Sequence, residues 1–291
     1  MLLAFVTDFE HPDLTEDDVL LAQYLYSKGY QVHPAVWDDN TIDWTSFDCV
    51  IVRSPWDYFH KVDAFTAWLD LLEEKRIKVF NPISVLRWNH DKSYLLRLRS
   101  EGVLIPQFYY CHKNQTYSLS EILHNHQWSK AVIKPSISGG AYKTWVVELA
   151  TIEAHTADFE DLLLYRDVII QKYAHEIVDR GEISMIYFNK KFSHAVCKKA
   201  KAGDFRVQSE HGGYHQSYTP DVSLLKDLDT ILGLITDPLL YARIDGYLDD
   251  QGRFNLMELE FLEPLLFFDS DSGACHRFTA ALSQMTEGSP N

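Results

Sequence analysis

Two stretches near the C-terminal end, Tyr241 to Leu248 and Arg253 to Phe261, are rich in aliphatic and aromatic residues and flank the turn formers Asp249-Asp250-Gln251-Gly252. They predict a β-hairpin. Side chains alternate faces along a strand, so Arg243 and Asp245 share one face of the first strand, and Glu258 and Glu260 share one face of the second. A turn centred between Asp250 and Gln251 pairs Arg243 with Glu258 and Asp245 with Leu256, which sets Asp245 diagonal to Glu258. All four polar groups then point the same way. Carboxylates gathered on one face repel each other and are costly to desolvate, unless a divalent cation or a basic substrate lies among them. Oxygen donors at this density suit Mg²⁺ or Mn²⁺. Magnesium completes its octahedron with water and substrate phosphates, so Asp245, Glu258 and Glu260 are candidate metal ligands of a site that also takes a nucleotide. The competing reading is a solvated acidic hairpin, since the chain carries a formal charge of −15 and has acid to place.

The run Ile133-Lys134-Pro135-Ser136-Ile137-Ser138-Gly139-Gly140-Ala141 lies upstream. A short strand ends at Lys134 and another begins at Tyr142, so the residues between them form a Gly-rich hairpin loop. Glycines let backbone N–H groups approach a phosphate closely, and Lys134 adds a fixed positive charge. The loop is not of the Walker kind, because no Gly-Lys-Ser/Thr follows and it leads into a strand rather than a helix. Taken alone, it reads equally well as a plain turn.

In order along the chain these motifs resemble the ATP-grasp superfamily, over roughly Asn89 to Phe268. The resemblance implies an α/β architecture, α+β in its ATP-grasp part: an N-terminal parallel-sheet domain at residues 1–88, then an ATP-grasp domain at 89–291 with a small lid at about 106–172. It implies that Lys92 in Asn89-His90-Asp91-Lys92 and Lys134 are the two ATP lysines, and that Ser136, Ser138, Gly139 and Gly140 belong to a phosphate-covering loop. Gln171-Lys172-Tyr173 matches the hinge that meets adenine through backbone groups, and Glu182 the carboxylate that holds the ribose. Gly203-Asp204-Phe205-Arg206 followed by Gly212-Gly213 is similar to the phosphate-contacting segment of the ribosomal-protein glutamate ligases, and Lys198 is a further basic candidate. Asp245, Glu258 and Glu260 fall on the magnesium positions, although many members carry Glu-x-Asn where this chain has Glu-x-Glu. Arg243-Ile-Asp245-Gly and Met257-Glu-Leu-Glu-Phe-Leu-Glu-Pro264 look most like the branch containing the cyclo-ligase of D-cycloserine biosynthesis.

The activity implied is ATP-dependent ligation of a small amino-acid-like or peptide carboxylate to an amine, between molecules or within one, through an acyl phosphate. Lys134 and Arg206 would stabilise the transferred group, and Arg243 would hold the substrate carboxylate or the tetrahedral oxyanion. A nucleotide sensor without turnover and a small-molecule kinase are the alternatives on the same fold. Homodimers are frequent among relatives.

Composition agrees with a cytoplasmic enzyme. At 291 residues and 46% hydrophobic, the chain has enough material for two domains or for one with a lid. Its negative charge disfavours nucleic acid and anionic membrane as partners. No apolar run approaches the ~20 residues needed to span a bilayer. Met1 to Val6 runs straight into Asp8 and Glu10 without a basic segment, so it reads as a strand rather than a signal peptide. Cys49, Cys111, Cys197 and Cys275 are widely spaced, which argues against a zinc ribbon or a disulfide scaffold.

The first 88 residues alternate strand and helix. Strands are expected at Leu2 to Val6, Gln31 to Trp37, Asp48 to Arg53 and Lys78 to Phe80, with helices at Thr15 to Lys28 and Val62 to Lys75. Such alternation favours a parallel sheet, whose ligands gather at the C-terminal ends of its strands. Arg53-Ser54-Pro55-Trp56-Asp57-Tyr58 lies at such an end. It is either part of the acceptor pocket, through Arg53, Ser54, Trp56 and Asp57, or a seam in which Trp56 and Tyr58 plug a gap while Arg53 pairs with Asp57. Further on, Asp91 to Ser100, Leu119 to Asn125, Thr151 to Leu164, Ser223 to Ile235 and Arg277 to Met285 are expected helices, the last followed by a frayed tail over Thr286 to Asn291. His124, His126, His211 and His215 lie in polar segments without a Cys partner and argue weakly for a transition metal.

Overall fold

The computed structural model describes residues 1–201, 204, 206–207 and 211–287. Its N-terminal part is β1 (Leu2–Thr7), α1 (Glu16–Ser27), β2 (Gln31–Val36), β3 (Cys49–Ser54), α2 (Val62–Glu74) and β4 (Val79–Phe80). The strands form a wholly parallel sheet in the order β2-β1-β3-β4. β3 is buried along its whole length, as expected for a parallel strand covered on both faces. Thr15 caps α1 by accepting the Asp18 N–H at 3.2 Å, and Gly29, at φ +86°, supplies the left-handed residue beyond its end.

Two short helices follow, α3 (Ile83–Asn89) and α4 (Tyr94–Ser100). Here the expected helix from Asp91 is shortened, because the Lys92 N–H donates to the Ser136 carbonyl at 2.9 Å and is taken out of any helical ladder. Next come β5 (Phe108–Cys111), α5 (Leu119–Asn125), β6 (Lys130–Pro135), β7 (Trp145–Glu148), α6 (Glu153–Leu163) and β8 (Val168–Lys172), whose strands make an antiparallel sheet in the order β5-β8-β6-β7. The chain continues through α7 (His175–Arg180), β9 (Glu182–Phe188), β10 (Lys191–Lys199), β11 (Tyr214–Tyr218), α8 (Val222–Gly233), β12 (Tyr241–Leu248), β13 (Phe254–Glu260) and α9 (Ala274–Glu287). Its sheet runs β11-β10-β9-β12-β13 and is antiparallel. α3, α7 and β11 were not foreseen. Gly203, Phe205 and residues 288–291 of the expected tail lie outside the described residues.

The β12–β13 hairpin forms with a different register from the one expected. Leu248 pairs with Phe254, so the loop is centred on Gln251 and the register moves by one residue. Asp249 holds this loop, its carboxylate accepting the N–H groups of Gln251 and Arg253 at 2.9 Å each. A bulge between Asp245 and Gly246 adds a second shift, with Met257 as the extra residue. Arg243 therefore pairs with Glu260 and Asp245 with Glu258, rather than with Glu258 and Leu256. Two one-residue shifts restore side-chain parity, so the polar groups still share a face, but Asp245 and Glu258 are opposite instead of diagonal. Gly246 permits the bulge: a Cβ there would lie 2.3 Å from the Phe254 ring and 2.4 Å from the Asn255 carbonyl.

β13 is the edge of its sheet, and side chains take the place of a further strand. Asn89 donates to the Leu259 carbonyl at 2.8 Å and accepts the Phe261 N–H at 2.7 Å, while the Tyr94 hydroxyl accepts the Leu259 N–H at 2.9 Å and donates to the Leu259 carbonyl at 3.0 Å. Asn81 likewise bonds the carbonyls of Tyr241 and Phe261 and the N–H of Leu240. These buried bonds join the two parts of the chain and fix the strand that carries Glu258 and Glu260.

Candidate functional site

A cavity of about 1000 Å³ opens where the sheet of β5–β8, the sheet of β9–β13 and the loops after β1 and β3 meet. This is the upper end of the range for small-molecule sites and leaves room for more than one ligand. Lys92, Lys134, Ser138, Gly139, Gly140, Gln171, Lys172, Tyr173, Glu182, Lys198, Arg206, Arg243, Asp245, Glu258 and Glu260 all line it.

On one wall, β12 and β13 present the carboxylates. Asp245 accepts from Arg243 Nη2 at 2.9 Å and from the Ser184 hydroxyl, and Lys198 Nζ lies 3.4 Å away. Burial works against its charge, but Arg243 and Lys198 hold it well below the usual carboxylate range. Glu260, bonded to Arg243, is pushed the other way by burial and by the carboxylates of Asp245 and Glu258. Neighbouring carboxylates cannot all ionise without a cation, and Asp245 takes the charged role. The oxygens of Asp245, Glu258 and Glu260 do not all lie within 4.8 Å of one another, because Arg243 stands between Asp245 and Glu260 and Lys92 draws Glu258 aside at 3.1 Å. One or two of them are enough for a magnesium ion that also takes phosphate oxygens, so this all-oxygen donor set fits such an ion. Arg243 differs from expectation: its Nε and Nη2 serve Asp245 and Glu260, and Nη1 donates to the Leu265 carbonyl at 3.0 Å.

The opposite wall is cationic. Lys92 donates to the Ser138 carbonyl at 2.7 Å and pairs with Glu258. Burial opposes its charge, and Glu258 more than restores it. Lys134 forms no ion pair or hydrogen bond with a described residue through its side chain. Burial pushes its ammonium below the usual lysine value, helped by Lys92 and countered by Glu258. Between these lysines the loop turns through Gly140 at φ +54°, Ala141 at +58° and Lys143 at +45°. Lys198 bridges Glu182 at 2.5 Å and Asp245, and burial raises Glu182. Arg206 pairs with Asp204 at 2.7 Å.

At the hinge, the N–H groups of Lys172 and Tyr173 are already bonded, to the carbonyls of Gln107 at 2.8 Å and Lys130 at 3.2 Å. Gln171 is only 2% exposed, yet its Nε2 has no hydrogen-bond partner among the described residues. A buried amide left unmatched is costly and is satisfied by a ligand that offers an acceptor.

Four expected residues do not line the cavity. Ser136 points its hydroxyl at Asp91 at 3.2 Å and ties the Lys92 loop to β6. Arg53 is buried beside Asp18, bonded at 2.7 Å, and donates to the Pro264 carbonyl at 3.1 Å. Ser54 is fully buried. Asp57 accepts from Trp37 Nε1 at 2.7 Å and pairs with Lys61. Neither expected pattern for this segment forms intact: Trp56 lines the cavity, while Arg53 pairs with Asp18 rather than with Asp57. Glu10, Asp17, Glu263, Phe267 and Asp269 also line it and were not singled out. Glu263 stood in the Glu-x-Glu-x-x-Glu-Pro string, three residues past Glu260, and that spacing was the available signal. His215 reaches the cavity from β11 and lies 3.7 Å from Asp269.

Known proteins resemble this chain along its length. The family model described as the N-terminal domain of D-cycloserine synthetase DcsG matches residues 3–81. Over 299 aligned positions the chain is 26% identical to the cycloserine biosynthesis protein DcsG of Streptomyces lavendulae, covering 97% of this chain and 98% of that relative. The crystal structure of D-cycloserine synthetase DcsG superposes with a TM-score of 0.88 at 23% identity, over 98% of this chain and 100% of that one. D-alanine–D-alanine ligase from Bacillus anthracis, solved with ATP, gives 0.66 at 15% identity over 99% and 96% of the two chains. The ATP-grasp ligase PsnB, solved with a precursor variant, Mg and ADP, gives 0.66 at 15% identity over 97% and 98%.

Proposed function

This chain carries the ATP-grasp fold, and from that premise we propose that it is an ATP-dependent carboxylate-amine ligase, intermolecular or ring-closing, that works through an acyl phosphate and forms ADP and phosphate. The observation that carries this reading is Lys134, a half-buried cation with no side-chain partner among the described residues, lining the same cavity as a face of carboxylates. Such an arrangement is costly unless an anion and a cation enter together, as Mg·ATP does.

In this reading Lys92, Lys134 and the Ser138–Ala141 loop bind the phosphates, while Gln171 and Glu182 hold the base and ribose. Asp245, Glu258 and Glu260 would hold a magnesium or manganese ion, which when bound neutralises charge on the β- and γ-phosphate oxygens. Lys134 and Arg206 then stabilise the transferred phosphoryl group. Arg243, saturated by Asp245, Glu260 and Leu265, orders the carboxylate face and is not assigned to the substrate carboxylate. The Phe59 and His60 rings pack on Tyr142 of the loop, with centroids 5.2 and 4.6 Å apart, which supports exclusion of water from a hydrolysable acyl phosphate.

The acceptor is a small amino-acid-like or peptide substrate. Ring closure, as the resemblance to the cyclo-ligase branch implies, is one form it can take. With this reading go a domain division at residues 88 and 89, a lid over about 106–172, a cytoplasmic setting and a homodimer. No helix of the described residues is long and apolar enough to cross a membrane.

The test is release of phosphate and ADP from Mg·ATP against a library of amino acids and dipeptides, with Glu258→Gln as the blank. Phosphate that appears only with particular acids, and is lost in the variant, supports a ligase. A stable phosphoester product would make the protein a kinase, and tight nucleotide binding without any product would make it a sensor.

A further inference from the structure

Glu263 follows the carboxylate strand and differs from its neighbours in how it is compensated. Glu258 has Lys92 at 3.1 Å, Glu260 has Arg243, Asp245 has Arg243 and Lys198, and Glu182 has Lys198 at 2.5 Å. Among the described residues no Lys, Arg or His nitrogen comes within 4.0 Å of the Glu263 carboxylate, whose near neighbours include the neutral hydroxyl of Tyr58. It is nonetheless firmly placed. Trp56 Nε1 donates to its backbone carbonyl at 3.1 Å, and Arg53 donates to the carbonyl of the next residue, Pro264, at 3.1 Å. Tyr58, beside the carboxylate, is itself only 3% exposed.

The position of Glu263 says what it faces. A Cβ built on Gly139 would lie 4.0 Å from Glu263 Oε1, so the carboxylate stands at the glycine end of the phosphate loop, between that loop and Trp56 of the N-terminal part. Resting on the ligase reading above, we propose that Glu263 pairs with the ammonium group of the nucleophile and takes its proton as the C–N bond forms. One proton passes from nitrogen to the carboxylate, the freed nitrogen pair attacks the acyl carbonyl, and the C–O bond to the phosphorus-bound oxygen breaks with its electron pair going to phosphate; the second proton, acidic once the C–N bond has formed, leaves with that phosphate as hydrogen phosphate. A half-buried carboxylate with no cation within 4.0 Å among the described residues, and only the more distant charges of Lys92 and Arg243 to favour its ionised form, is costly, and an incoming ammonium reduces that cost.

Hydroxylamine, neutral at pH 7, separates this role from others, because it traps an acyl phosphate as a hydroxamate without needing a carboxylate to discharge it. Wild type and Glu263→Gln are given Mg·ATP, the acid found in the library screen, and either its amine partner or hydroxylamine; for a ring-closing substrate the internal amine is the partner. Amide formation is expected to fall about a hundredfold or more in the variant, with hydroxamate formation within about threefold of wild type. Equal loss of both reactions with Mg·ATP-analogue binding intact, or a raised magnesium requirement for both, would overturn the proposal in favour of phosphoryl transfer or metal binding. Loss of neither would overturn it outright. Should E263Q lose nucleotide binding, Tyr58→Phe, which removes the hydroxyl beside the same carboxylate, must lower amide formation more than hydroxamate formation, and equal effects count against the proposal. Failure of wild type to form any hydroxamate would instead sink the ligase reading on which it rests.

Discussion

Asp245 and Glu258 face each other directly across β12 and β13, two carboxylates at one cross-strand position. Like charges so placed repel, and Arg243, Lys198 and Lys92 hold them together from the sides. Glu258→Gln keeps the shape and removes one anionic ligand. It is expected to lower Mg-dependent turnover by about a hundredfold or more while the circular dichroism spectrum is unchanged. Wild-type turnover that still requires magnesium would refute the metal assignment.

The edge strand depends on Asn89. Replacing it by alanine strips the Phe261 N–H of its side-chain partner and leaves the Leu259 carbonyl with Tyr94 alone, in a buried setting. Asn89→Ala is expected to cost about 2–4 kcal/mol in urea unfolding and to raise the magnesium concentration needed for half-maximal activity. An unchanged magnesium requirement in a destabilised variant would separate strand stability from site geometry.

Gln171 lines the cavity and carries an amide nitrogen with no acceptor among the described residues. Gln171→Leu removes that unmet need, so the ligand-free protein is expected to melt at a higher temperature, while nucleotide affinity falls about tenfold for the loss of one good hydrogen bond. Calorimetric titration with an ATP analogue reads the second effect. Unaltered affinity would show that the base is read elsewhere.

Tyr142 joins the phosphate loop to Phe59 and His60. Tyr142→Ala opens that contact and is expected to raise phosphate release per mole of ligated product by several fold, as water reaches the acyl phosphate. A ratio that stays at one would mean that closure does not depend on these rings.

Burial pushes the Asp17 carboxyl from its ordinary 3.8 up to about 6, with Arg53 opposing and Asp18 adding to the rise. The folded state therefore binds this proton more tightly than the unfolded chain, so its contribution is fully present below pH 3.8 and is lost as pH rises through about 6. The stability of wild type minus that of Asp17→Asn, from urea unfolding at pH 4 to 7, is expected to decrease across that interval and to be flat above it. A difference independent of pH would show that Asp17 ionises normally.

Much of this architecture is local and was therefore legible. Aliphatic and aromatic richness beside a turn located β12 with both ends correct, the Thr15 cap and Gly29 bracketed α1, and the ordered motifs pointed to the lysines, the glycine loop and the carboxylate strand. α7 and β11 escaped because their short, mostly exposed residues carry no apolar period, and β11 forms only by pairing with β10.

The sequence by itself determined which residues share a face, since that depends only on backbone periodicity. Tertiary structure alone decided the partners. The bulge at Met257 brought Asp245 opposite Glu258, the burial of Arg53 against Asp18 removed it from the cavity, and the return of the chain past Tyr58 turned Glu263 toward the phosphate loop. Each of these is a contact between residues far apart in the chain, chosen by how charges find compensation in a shared interior, and local propensity holds no record of that choice.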